Sequence, residues 1–173
     1  MKSLRENLSD SNKRISLMSE WAYVFSQSSG VLVLKNTYED CSSIDHATKI
    51  YEKIIIEEKE KNIGGSDHYA KPGANDRIWN SLQKLCEKDP FVFAKYFGNE
   101  VIAAVCESYL GTAYQMTAQV NLVHPGGEAQ SPHRDYHLGF QSKEALKNFP
   151  SHAHEISNYL TLQGAIAHVD TEI

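Results

Sequence analysis

Residues 119–140 read QVNLVHPGGEAQSPHRDYHLGF, a strand-like run with polar positions that leads into a loop rich in proline and glycine. The loop carries His133 and Asp135, and side chains along an extended segment alternate between its two sides. The imidazole and the carboxylate are therefore expected on one side of the chain. They make two of the three groups in the 2-His-1-carboxylate set that binds non-haem Fe(II). The pattern predicts a metal site at His133 and Asp135.

The same residues allow other chemistry. His133, Asp135 and His137 form an HxDxH pattern, and alternation would place all three on one face, as a zinc-dependent hydrolase requires. The letters HRD also occur in the protein-kinase catalytic loop, but that loop requires Asn five residues after the Asp, where this chain has Phe140. An Asp–His pair at the surface of a loop is the third interpretation. The kinase is excluded, and the other readings stay open on spacing alone.

Length and composition limit the class of protein. The chain has 173 residues, 41% of them hydrophobic and 23% charged, which suits a single domain over residues 1–173. A net charge of −5 argues against a nucleic-acid partner, because phosphate binding needs a basic face. No apolar run reaches the roughly 20 residues that span a bilayer. We therefore expect no membrane partner. Three widely spaced cysteines fit reduced thiols, so we expect a cytoplasmic protein.

Helical patterns dominate the first part of the chain, residues 1–111. Helices are predicted over residues 12–27 and 44–63, after a cap at Asp76, from Pro90, and from a cap at Asn99 to Gly111. One early strand is predicted over residues 31–34, where four apolar residues follow a glycine.

The character of the chain changes from residue 112 onward, where threonine, valine and tyrosine become frequent. Strands are predicted over residues 114–123 and 159–169, the latter as a central strand, with a short helix over residues 143–149. Helices first and strands later indicate the α+β class, with an N-terminal helical layer packed on a sheet.

Four segments in order resemble the phytanoyl-CoA dioxygenase family of Fe(II)/2-oxoglutarate oxygenases. They are GVLVLKN at residues 30–36, NDRIWN at 75–80, the stretch 119–140 with its HxD, and LQGAIAHVD at 162–170. The resemblance implies that the sheet is a double-stranded β-helix, a jelly-roll barrel of the cupin type. Residues 112–173 would be the first part of that barrel.

The resemblance also implies roles for individual residues. His133 and Asp135 match the first two iron ligands and would be the catalytic pair. Gln119 and Asn121, on one face of their strand, match positions that hold 2-oxoglutarate or substrate, and Gln163 matches a position that lines the cosubstrate pocket. The implied cofactor is Fe(II) with 2-oxoglutarate as cosubstrate. The implied reaction is hydroxylation of a small-molecule or acyl substrate.

One departure from the family pattern leaves a second hypothesis open. The family's distal His ligand and its Arg for 2-oxoglutarate are expected beyond the strand that ends near Asp170, and the sequence ends at Ile173. The barrel is therefore expected to be incomplete, with open edges that favour a homo-oligomer. The alternative to an enzyme is a truncated, non-catalytic form that acts as a dimeric or binding module.

Overall fold

The computed structural model describes residues 4–64, 73–127, 135, 138 and 141–170. They fall into two compact units. The first unit contains residues 4–33, 101–114, 135, 138 and 141–166, and the second contains residues 34–64, 73–100, 115–127 and 167–170. The prediction of one domain over residues 1–173 stays a prediction.

The described residues form eight helices and two strands. In chain order these are α1 Leu4–Leu8, α2 Ser11–Gln27, α3 Ser42–Glu60, β1 Asn75–Ile78, α4 Ser81–Lys88, α5 Pro90–Phe97, α6 Glu100–Leu110, β2 Val120–Val123, α7 Lys143–Leu146 and α8 Ser151–Tyr159. Among these residues no helix is long and apolar enough to cross a membrane.

Local sequence explains where several helices begin and end. The Asp10 carboxylate caps α2 by accepting hydrogen bonds from the backbone N–H groups of Asn12 and Lys13, each at 3.1 Å. Asp89 caps α5 in the same way, and Pro90 occupies its first turn, where no intrahelical N–H is needed. Helix α6 stops at Gly111, whose φ of +83° suits a residue without a side chain.

The first unit contains α2 and most of α6. Trp21 of α2 and Ala104 of α6 are buried, at 3% and 0% exposure. The Arg14 guanidinium donates to the Glu107 carboxylate at 2.6 Å, which links the two helices. This pair is partly buried, and the Phe25 and Tyr109 rings make a second contact between the same helices, edge to face with centroids 5.5 Å apart.

The second unit is built around α3, which packs against β1, α4 and α5. Ala47, Tyr51 and Ile54 fall at helical spacing along α3 and are at most 3% exposed. Ile78 of β1 and Leu85 of α4 are fully buried, at 0% exposure. Burying a large aliphatic side chain stabilises a fold by about 1.5–3 kcal/mol, so these residues hold β1 in place.

The sheet of the second unit pairs β1 with β2 in antiparallel fashion. Arg77 lies opposite Asn121, and Ile78 lies opposite Val120. Because side chains alternate along a strand, burial of Ile78 directs the neighbouring Arg77 to the other face.

Several predictions about the fold are confirmed. The mixed helix and sheet composition fits the α+β class, and the helices predicted over residues 12–27, 44–63 and from Pro90 are present within a few residues. The helix that ends at Gly111 and the short helix after residue 143 are present too. The only sheet in the described ranges has two strands, so the jelly-roll barrel is a proposal and not an observation.

Other predictions were wrong. Residues 31–34 form no strand, and Val31 and Val33 are 67% and 77% exposed, because an apolar run becomes a strand only where a neighbour pairs with it. Residues 161–169 form no central strand, and Tyr159 ends helix α8 instead. Asp76 caps no helix, since it lies within β1 and α4 begins at Ser81. Of the strand predicted over residues 114–123, only Val120–Val123 is a strand.

Candidate metal ligand and cosubstrate residues

Two of the predicted site residues meet in the first unit. The Gln163 side-chain amide Nε2 donates a hydrogen bond to Oδ2 of the Asp135 carboxylate at 2.6 Å, across 28 positions of sequence. A hydrogen bond to a carboxylate restricts its rotation. The sequence predicted a cosubstrate contact for Gln163, and the structure places its amide on the predicted metal ligand.

Asp135 keeps the chemistry of a metal ligand in this arrangement. An ionised carboxylate has two oxygens and about four lone-pair directions, so a hydrogen bond from Gln163 does not use up its capacity to bind. Anchoring of a ligating carboxylate by a neighbouring donor is what metal sites generally need. The donor set of one imidazole and one carboxylate also suits Fe(II). The Asp135 carboxylate, which is the one predicted ligand among the described residues, therefore has a chemistry that suits the metal.

The other predicted ligand, His133, lies outside the described residues, as does His137 of the zinc alternative. In the ranges that the structure does describe, no three His, Cys, Asp or Glu side chains are grouped so as to hold a metal ion. His133 as a ligand stays a prediction.

The predicted cosubstrate residue Gln119 contacts an arginine in the second unit. Its side-chain oxygen Oε1 accepts hydrogen bonds from Arg77 Nε at 3.1 Å and from Arg77 Nη2 at 2.5 Å. The Arg77 guanidinium also lies over the Trp79 ring, with Cζ 4.5 Å from the ring centroid. Stacking and hydrogen bonding together hold the guanidinium at the end of the two-stranded sheet.

The predicted cosubstrate residue Asn121 stands directly opposite Arg77 in the register of β1 and β2. Gln119 immediately precedes β2, two positions before Asn121, so both side chains follow the same side of the extended chain. Both residues are exposed. The shared face of Gln119 and Asn121 and their binding role both stay predictions.

A His–Asp–Lys cluster lies at the other end of the same sheet. Oδ2 of Asp76 accepts from His124 Nε2 and from Lys59 Nζ, each at 2.7 Å. Burial alone would raise the pKa of Asp76, but the hydrogen bonds and charges of Lys59 and His124 outweigh it and lower the pKa. The carboxylate is thus held ionised, and it fixes the end of β2 from which the chain continues toward His133.

His168 is the centre of a partly buried polar network in the second unit. Its Nδ1 lies 2.7 Å from Thr48 Oγ1, and its Nε2 lies 2.7 Å from the Tyr96 hydroxyl. The Thr48 hydroxyl donates its only hydrogen to the carbonyl oxygen of Ile44, so it accepts from His168, and Nδ1 carries the proton. Nε2 then accepts from Tyr96. Burial lowers the pKa of His168, and the nearby Asp45 opposes this only in part.

Sequence reasoning missed Arg77, His124 and the role of His168. Arg77 was within the NDRIWN segment, but its contact with Gln119 depends on a strand pairing that spans more than 40 positions. His124 directly follows the predicted strand that ends at Val123, and a polar residue at a strand end was the sequence feature that could have marked it as a candidate. His168 falls in the segment predicted as a strand over residues 159–169, and no local pattern indicates its contacts with Tyr51 and Tyr96.

The fold class and the family of the chain can be stated from these residues and from a comparison of the sequence with known protein families. The protein is of the mixed helix and sheet class. Its described part contains one candidate metal ligand, the Asp135 carboxylate that accepts a hydrogen bond from Gln163. The family model for phytanoyl-CoA dioxygenase (PhyH) matches residues 26–172, which is most of the chain. The chain therefore belongs to the phytanoyl-CoA dioxygenase family, whose members are generally Fe(II)/2-oxoglutarate-dependent oxygenases. Comparison with curated proteins and with solved structures gives no significant match.

Proposed function

We propose that this chain is an Fe(II)/2-oxoglutarate-dependent dioxygenase that hydroxylates a small-molecule or acyl substrate. The proposal includes a jelly-roll barrel backed by the helical layer. The observation that carries it is the family match over residues 26–172, because that range contains His133, Asp135, Gln119, Asn121 and Gln163. The contact between Gln163 and Asp135 supports it, since it gives the carboxylate the anchoring that a metal ligand requires.

His133 and Asp135 would hold the metal. When bound, it would supply the chemistry by which O2 oxidises 2-oxoglutarate to succinate and CO2 with one oxygen atom and hydroxylates a C–H bond of the substrate with the other. Gln163 restrains the Asp135 carboxylate through its hydrogen bond and keeps it oriented. Gln119 and Asn121 would bind the polar groups of 2-oxoglutarate. The protein thus contributes ligands, orientation and recognition to the reaction.

The test compares two conservative substitutions of aspartate by asparagine. Asp135→Asn keeps an oxygen that can accept from Gln163 but removes the charge that binds the metal. We expect it to lose Fe(II) binding and the conversion of 2-oxoglutarate to succinate. Asp40→Asn is the control, because Asp40 accepts a hydrogen bond from the Ser42 N–H at 2.7 Å and asparagine keeps an oxygen that can accept that bond.

The measurements are metal content after anaerobic loading, for iron and zinc together, and succinate formed per chain. Retention of both iron and turnover by Asp135→Asn would refute the assignment. Preferential loading with zinc, with no response to 2-oxoglutarate, would replace it with the zinc-dependent hydrolase.

A further inference from the structure

The contact between Arg77 and Gln119 fixes which way the glutamine amide faces. A guanidinium has only hydrogen-bond donors, so the amide atom that faces it must be the oxygen. Oε1 receives two hydrogen bonds from Arg77, at 3.1 and 2.5 Å, and a carbonyl oxygen has two lone pairs. The oxygen is therefore saturated, and Gln119 can offer a further ligand only its Nε2 hydrogens.

Arg77 is well placed to impose this orientation. It lies within β1, where the fully buried Ile78 next to it anchors the strand. Its guanidinium stacks on Trp79 at 4.5 Å, so the plane of the fork has a second support that is independent of Gln119. Gln119 itself is exposed, and no described residue accepts a hydrogen bond from its Nε2.

We propose that Arg77 is a positioning residue that presents the Gln119 Nε2 hydrogens as donors to a carboxylate oxygen of 2-oxoglutarate. The inference rests on the proposed function, because it takes 2-oxoglutarate as the ligand of Gln119. Without Arg77 the Gln119 amide can rotate and turn its oxygen toward the carboxylate of 2-oxoglutarate. The partial negative charge of that oxygen repels the carboxylate. Arg77 acts through Gln119 and does not touch the cosubstrate.

The experiment measures the Kd of 2-oxoglutarate by anaerobic calorimetry on the full chain, with Mn(II) as a redox-silent metal. Gln119→Met removes the donor and should raise Kd by about tenfold to a hundredfold, the loss expected for a hydrogen bond to a charged group. Arg77→Met leaves the donor but frees its rotation and should raise Kd by about two- to tenfold. Arg14→Met is the matched control, because Arg14 pairs with Glu107 elsewhere, and its Kd should equal that of the wild type.

The double variant decides the mechanism. If Arg77 acts only through Gln119, Arg77→Met has no further effect in the Gln119→Met background. Independent effects that multiply would overturn the proposal, because they mean that Arg77 binds the carboxylate directly or attracts it by charge. An unchanged Kd in Arg77→Met overturns it as well. Where Arg77→Met fails to fold by circular dichroism, the same cycle with Arg77→Lys gives the answer, since lysine keeps the charge and lacks the two-donor fork.

Two outcomes separate a failure of the proposed function from a failure of the inference about Arg77. A wild-type chain that binds Mn(II) but not 2-oxoglutarate refutes the proposed function and this inference together. A wild-type chain that binds 2-oxoglutarate with an unaffected Arg77→Met variant refutes the inference alone.

Discussion

The hydrogen bond from Gln163 to Asp135 gives the most direct structural prediction about the metal site. Gln163→Met keeps the length of the side chain and removes the donor that lies 2.6 Å from Asp135 Oδ2. Loss of a group that anchors a ligating carboxylate typically weakens metal affinity by about 10- to 100-fold, or roughly 1.4–2.7 kcal/mol. Gln163 is exposed, so we expect the free energy of unfolding to change by less than about 1 kcal/mol.

The assay is the Kd of Mn(II), measured by competition with a coloured chelator at constant pH. Gln83→Met is the matched control, because Gln83 Nε2 also donates to a carboxylate, Oε1 of Glu87 on α4, at 2.7 Å. The two variants lose the same kind of bond at different places. Equal Mn(II) affinity for Gln163→Met and the wild type would refute the reasoning, and so would an equal loss in Gln83→Met.

Two further predictions concern the network around His168. Tyr96→Phe removes the donor to Nε2 of the partly buried His168, so chemical denaturation should show a loss of about 0.5–1.5 kcal/mol in the free energy of unfolding. The control Tyr23→Phe, at an exposed tyrosine, should lose less than about 0.5 kcal/mol. The second prediction is a pH dependence of stability. Burial lowers the pKa of His168 from 6.5, so the unfolded chain binds the proton more tightly than the folded chain. The contribution of the neutral imidazole to the free energy of unfolding is therefore fully present above pH 6.5, and it falls as the pH drops from 6.5 toward the pKa of the folded state. His168→Gln should flatten this decline relative to the wild type, and an identical slope for the two proteins would contradict the assignment of a neutral imidazole.

Local signals predicted most of the helices. Apolar positions at helical spacing identified α2 and α3, Pro90 marked the first turn of α5, and Gly111 marked the end of α6. Each of these signals acts within a few residues, because caps and helix periodicity depend on near neighbours.

The sheet could not be predicted in the same way. Strand β1 contains Asn75 and Asp76, residue types that are rare in strands, and forms because it pairs with β2 far along the chain. The apolar run at residues 161–169 has the composition of a strand, yet it forms none in the described structure. Strand formation depends on a partner, and the sequence of one segment does not show whether a partner exists.

In the candidate site, too, local patterns were predictable and contacts between distant residues were not. Alternation along an extended chain predicts Gln119 and Asn121 on one side. In the structure Asn121 lies opposite Arg77, and the Arg77 guanidinium contacts Gln119. The contacts of Gln163 with Asp135 and of Arg77 with Gln119 join residues 28 and 42 positions apart. Such pairs are set by tertiary structure, so residue spacing alone could not reveal them.

The central claim is that this chain binds Fe(II) and 2-oxoglutarate together through His133 and Asp135. The most direct measurement is an anaerobic titration of the protein with both components, followed by the visible charge-transfer absorption of an iron chelate of 2-oxoglutarate. We expect the wild type to develop this band and His133→Ala to lose it. A wild type without the band, or a His133→Ala variant that keeps it, would contradict the claim.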